Sequence, residues 1–204
     1  MPTAEQILVS LGDITSQWHG VAVGWHVYFA VVALIIVAGM RPSRRLMGLL
    51  LSLPMFSVSA LAWHAANPFN TLVFALAGAA LIAVALWRLF GVLRLSRGWP
   101  AVAGALLFAF GWVYPHFLDG ASWYTYLYAA PVGLVPCPTL SMIIGLSLLL
   151  EGLASRAWMW LLALIGGFYG VFGALHLQVV LDWVLLAGAT ALLLYAKSAP
   201  RPRF

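Results

Sequence analysis

Residues 21–45 read VAVGWHVYFAVVALIIVAGMRPSRR, twenty positions without Asp, Glu, Lys or Arg, closed by three arginines in five. About 20 apolar residues is the length a helix needs to cross the hydrocarbon of a bilayer. Basic residues directly after such a run mark the cytoplasmic side.

The same punctuation runs along the whole chain. Of 204 residues, 64% are hydrophobic and 7% charged, with mean hydropathy +1.02. A soluble domain carries about a quarter charged residues. The class expected is therefore an all-α integral membrane protein, because helices satisfy their own backbone in lipid. Barrel strands would alternate apolar and polar, and these runs are continuous. The net charge of +5 does not indicate nucleic acid, since the basic residues sit beside apolar runs.

Seven spans are expected, over 21–40, 46–66, 69–93, 99–117, 125–150, 157–175 and 178–196. A single helix from Arg156 to Lys197 would be roughly 60 Å long, twice the hydrocarbon thickness. A hairpin around His176 divides it instead. Arg41, Arg44 and Arg45 fall in the first gap, Arg94 and Arg97 in the third (with Arg88 just before), Arg156 in the fifth, and Lys197, Arg201 and Arg203 at the end. The gaps between hold no Lys or Arg. The expected topology is a seven-helix bundle with a periplasmic N-terminus and a cytoplasmic C-terminus, in a bacterial inner membrane. Six tryptophans (18, 25, 63, 112, 123 and 183) then fall at the outer boundary and four (87, 99, 158 and 160) at the inner, as aromatic belts require.

Residues 1–20 carry Glu5 and Asp13 and no Lys or Arg, so the basic start of a signal peptide is missing. Ile7, Leu8, Leu11, Ile14 and Trp18 recur at helical spacing, which predicts an interfacial amphipathic helix over 1–20. Residues 21–196 form one transmembrane domain, and 197–204 a basic cytoplasmic tail.

This topology places His19, His26, His64, His116, His176, Asp119 and Asp182 in the outer third of the protein. Ionisable groups at membrane depth face a cavity or a partner. Imidazole suits Zn, Cu or haem iron, a carboxylate can complete the shell, and imidazole also exchanges protons near neutral pH. The bland alternative is a set of interfacial histidines bonded to backbone or water. Asp182, near the positive end of the last helix, could serve only to stabilise that end.

The fifth span carries the second candidate, Ala130-Pro131-Val132-Gly133-Leu134-Val135-Pro136-Cys137-Pro138-Thr139-Leu140-Ser141-Met142. Pro131, Pro136 and Pro138 remove backbone donors and clash with preceding carbonyls, so this helix must kink or unwind. Carbonyls freed at membrane depth must be buried in protein or line a wet cavity. Cys137 sits in the break, with Thr139 and Met142 on the next turn. Cys and Met suit soft metals such as Cu(I), although a buried lone cysteine can be an inert hydrophobe. The sole cysteine excludes an internal disulfide. Tyr114, Tyr124, Tyr126 and Tyr128 read as an outer belt, and Glu151 as an ion-pair partner for Arg156.

Val135-Pro136-Cys137-Pro138-Thr139, the stretch from His64 to Asn67-Pro68-Phe69, and the final hairpin with Asp182 together make the chain resemble a family of small bacterial multi-pass membrane proteins of unknown function. That resemblance implies an inner-membrane location and supplies no activity. Ser59 and His64 are similar to the Ser-to-His pairing of seven-helix zinc hydrolases of the ceramidase and adiponectin-receptor type. The spacing is one residue longer than in those proteins, and the paired histidines of their last helix are missing. No lysine lies inside the last helix, which departs from the rhodopsin pattern.

The function expected is transport or binding of a small solute or metal ion, with the Pro-broken fifth helix lining the path. The alternatives are a membrane-embedded metal-dependent hydrolase and a haem or redox-partner anchor subunit. The loops leave no room for an external catalytic domain, which argues against an enzyme. Zn, Cu and haem are the cofactor candidates. The bilayer is the one partner readable, and a homo-oligomer or partner subunit stays open.

Overall fold

The computed structural model describes residues 3–118 and 122–198. They form nine α-helices with short 3-10 and π segments, and no strand among the described residues. α1 (Ala4–Gln17) opens on a capping box, in which Thr3 and Gln6 satisfy each other's backbone N–H groups. Leu11 and Ile14 of α1 are buried in a small core with Leu61, Leu134 and Val135. α2 (His19–Val37) starts two residues after α1 ends, so the expected boundary at residue 20 falls inside a nearly continuous pair.

α3 (Arg44–His64) and α4 (Pro68–Arg88) pack as an antiparallel hairpin. Ser43 caps α3, Asn67 caps α4, and Pro68 sits where its missing N–H costs nothing. α5 (Trp99–Val113) packs against α7 (Pro136–Leu149), and α8 (Arg156–Val171) against α9 (Asp182–Ser198). The four-residue α6 (Tyr126–Ala129) precedes α7.

Four helical stretches are long and apolar enough to cross a membrane: His19–Val37, Arg44–His64, Pro68–Arg88 and Arg156–His176. This is a helical membrane protein. α5 and α7 are shorter, at 15 and 14 residues, or about 22 and 21 Å. The expected third span stops at Arg88, and a non-helical segment runs to Gly98. The fourth stops at Val113 because Tyr114 precedes Pro115, and a residue before proline is pushed out of helical geometry (φ −21°, ψ 96°). The last helix includes Lys197, which was expected to open the tail, and residues 199–204 lie outside the described set.

α7 is the centre of the molecule. Pro136 and every residue from Pro138 to Leu148 are buried. It approaches α5 closely enough that a Cβ on Gly104 would lie 2.6 Å from the Gly145 carbonyl oxygen. Small residues permit such backbone contact between helices in lipid.

The first, third and fifth gaps meet at one end of the bundle. Arg44 reaches Phe90 O and lies 3.0 Å from Glu151. Arg156 reaches the carbonyl of Lys197. The Arg44 contact replaces the expected Glu151–Arg156 pair. Beyond α7 the chain makes a turn in which Glu151, Gly152, Leu153 and Ala154 all have φ between +47° and +56°. Left-handed backbone costs a non-glycine residue roughly 1–2 kcal/mol. Burial of Leu153, the Arg44–Glu151 pair and a bond from Glu151 N–H to Ser96 Oγ (2.9 Å) hold it there. Nearby, Trp158 is fully buried and donates to Ser147 Oγ (3.0 Å), so it belongs to the core rather than to an interfacial belt.

Candidate functional site

The fifth span is broken as its prolines require. α6 ends at Ala129, residues 130–135 are irregular, and Pro136 opens α7 at the position a helix start tolerates. All the irregular residues are buried. The N–H groups of Val132, Gly133, Leu134 and Val135 all find acceptors inside the protein. Gly133 N–H donates to Thr139 Oγ1 (2.8 Å), and that hydroxyl donates to Val135 O (2.7 Å). Thr139 thus ties the break to the first turn of α7. Gly133 has φ +74° and lies against the Trp25 ring, where a side chain could not fit.

A second irregularity faces the first. α8 ends in a π segment, Phe172–His176, and the chain turns at 177–181 before α9. π segments gather at functional sites. Asp182 opens α9 and is 1% exposed. Its Oδ1 accepts from Tyr114 Oη at 2.7 Å, and its Oδ2 accepts from Cys137 Sγ at 3.2 Å. Gly173, in the π segment, leaves the space that the carboxylate fills. Four elements therefore meet at one side chain: the end of α5, the start of α7, the π segment and the start of α9. The expected role of stabilising a helix end leaves these two side-chain donors unexplained.

Ser141 is a further buried hydroxyl on α7. It lies one turn along α7 from Cys137, and residues four apart share a helix face. Its Oγ is buried without a hydrogen-bond partner. Tyr169, also buried, donates to Asn70 Oδ1 (2.7 Å) and links α8 to α4. Met142 packs on Gly111 of α5. Five residues along a helix turn it about 140° away from Cys137, so the two sulfurs do not form a soft-metal pair.

The histidines are not gathered. Among the described residues no three His, Cys, Asp or Glu side chains are grouped so as to hold a metal ion. His26 is 3% exposed, and its ring nitrogens lie 2.9 Å from Ala22 O and 3.0 Å from Trp112 O. That is a core histidine joining α2 to α5, with both nitrogens facing backbone carbonyls and neither open to haem iron. His64 is exposed beside Trp18, and His176 is exposed against Phe172. His19 meets Tyr128, and His116 packs on Phe117. Asp119 lies outside the described residues. The hydrolase-like pairing is not formed either, since Ser59 Oγ donates to Thr71 O (2.7 Å).

Tyr114 was expected in an outer belt, yet it is fully buried and holds Asp182. The signal for it was Pro115, which ends α5 beside the level of Asp182. Comparison with protein-family models, curated proteins and solved structures found no match.

Proposed function

We propose that this protein is a seven-span bacterial inner-membrane carrier or channel that moves protons, alone or with a small solute, through Asp182. The N-terminus is periplasmic and the C-terminus cytoplasmic. α2, α3, α4, α5, the broken α6–α7 pair, α8 and α9 are the seven spans, with α1 lying at the interface. Two facts support that topology: the basic gaps meet at one end, and the short α7 is extended by the buried irregular residues 130–135.

One observation carries the functional reading. Asp182 is buried where two broken segments meet, it accepts bonds from a phenol and a thiol, and no Lys, Arg or His lies within ion-pair distance among the described residues. Charge on such a carboxylate is balanced only by a proton or an arriving cation. The two side chains bonded to it, Tyr114 and Cys137, carry a hydroxyl and a thiol, which can both donate and accept protons. Discontinuous helices with a polar group at their ends are the pattern of carrier sites. The metal-handling reading loses its support with the dispersed histidines.

The test is proton entry into dye-loaded proteoliposomes under a potassium diffusion potential. Wild-type protein should exceed empty vesicles, and Asp182→Asn should not. Equal rates for wild-type and empty vesicles reject the reading.

A further inference from the structure

The arginine-rich end of the bundle presents a charged surface that the Asp182 site does not use. The segment joining α2 to α3 and the segment joining α4 to α5 are laced together. Arg44 N–H donates to Gly91 O (3.0 Å), Leu93 N–H donates to Pro42 O (2.9 Å), and Ser43 bridges Val92. This bracing holds Arg41, Arg45, Arg88, Arg94 and Arg97 on one platform, all exposed. None of the five has an acidic partner among the described residues. Of the acids among the described residues, Glu5 and Asp13 belong to α1, Asp182 is buried at the far end, and Glu151 is engaged by Arg44.

Large apolar side chains alternate with these arginines. Trp87, Phe90, Leu95 and Trp99 are each 41–72% exposed. Arg45 stacks its guanidinium 5.3 Å from the Phe90 ring centre. Exposed tryptophans at this level fix the platform at the boundary between headgroups and hydrocarbon. A guanidinium there meets phosphate oxygens in a two-pronged geometry.

We infer that the braced 41–45 and 88–97 segments form a docking face for anionic phospholipid headgroups. The reason is complementarity: five exposed arginines without an acidic partner among the described residues, on the side that the proposed topology makes cytoplasmic, where the leaflet carries negative charge. Apolar side chains between the arginines favour a lipid over nucleic acid, which would leave them in water. This inference is independent of the role given to Asp182.

The test uses the full chain in neutral detergent, titrated with phosphatidylglycerol, phosphatidylcholine or inorganic phosphate while the thermal unfolding midpoint is followed. Phosphatidylglycerol should raise the midpoint, and the other two should not. Replacing Arg94 and Arg97 by Gln should weaken the apparent affinity more than tenfold, at roughly fivefold per arginine. Adding Arg41→Gln and Arg45→Gln should remove the shift, and the double variant suffices should the fourfold variant not fold. An equal shift with phosphatidylcholine, reproduction of the shift by phosphate, or an unchanged response of the double variant overturns the inference.

Discussion

Asp182 occupies the space left by the missing side chain of Gly173. The carboxylate and the π segment of α8 are therefore one fitted unit. A methyl group at 173 would collide with Oδ2 and push it off Tyr114 and Cys137. Gly173→Ala should lower proton flux at least tenfold and cost about 1–3 kcal/mol of stability by overpacking. Flux and thermal melting measured on the same preparation check this. An active, unperturbed G173A protein would show that the fit is not needed.

Tyr114→Phe removes one donor and keeps the ring. Losing a bond to a buried acceptor costs about 1–3 kcal/mol. Cys137→Ala should cost less, because a thiol is a weak donor. Chemical or thermal unfolding of the two variants gives the order, and a larger loss for C137A contradicts the hydrogen-bond assignment.

Thr139 ties the broken segment to α7 through one hydroxyl with two partners. Thr139→Val keeps the shape and removes both bonds. It should destabilise by about 1–3 kcal/mol and raise the rate at which a thiol reagent labels Cys137, the chain's sole cysteine. An unchanged labelling rate would mean that the break is held by packing alone.

The left-handed turn after α7 gives a stabilising prediction. Ala154 has φ +55°, and glycine adopts that backbone without strain. Ala154→Gly should stabilise by about 1 kcal/mol. Glu151→Gln should act the other way by about 1 kcal/mol or less, because its pair with Arg44 is partly exposed. Thermal midpoints of the two variants should lie on opposite sides of the wild-type value.

The class of this protein was legible because a bilayer imposes one-dimensional rules. Apolar length and the charges of the gaps are read along the chain, and Arg44 and Glu151 now mark gaps that meet. The break at Pro136 was equally legible, since proline acts on its own backbone. What was not legible depends on which helices are neighbours. Depth alone placed His26, His64 and His176 together, yet helix order sends each to a different aromatic partner. The same order brings Tyr114 and Gly173 to Asp182, residues 68 and 9 positions away in sequence. Trp158 shows the limit of the belt argument, because depth does not say whether a ring faces lipid or core.

The central claim is that Asp182 is the group through which protons move. Its most direct test compares proton entry into proteoliposomes holding wild-type protein, Asp182→Asn and Asp182→Glu at equal protein density. Entry in the wild type, loss to the empty-vesicle rate in D182N and partial retention in D182E are predicted. Equal entry in wild type and D182N contradicts it.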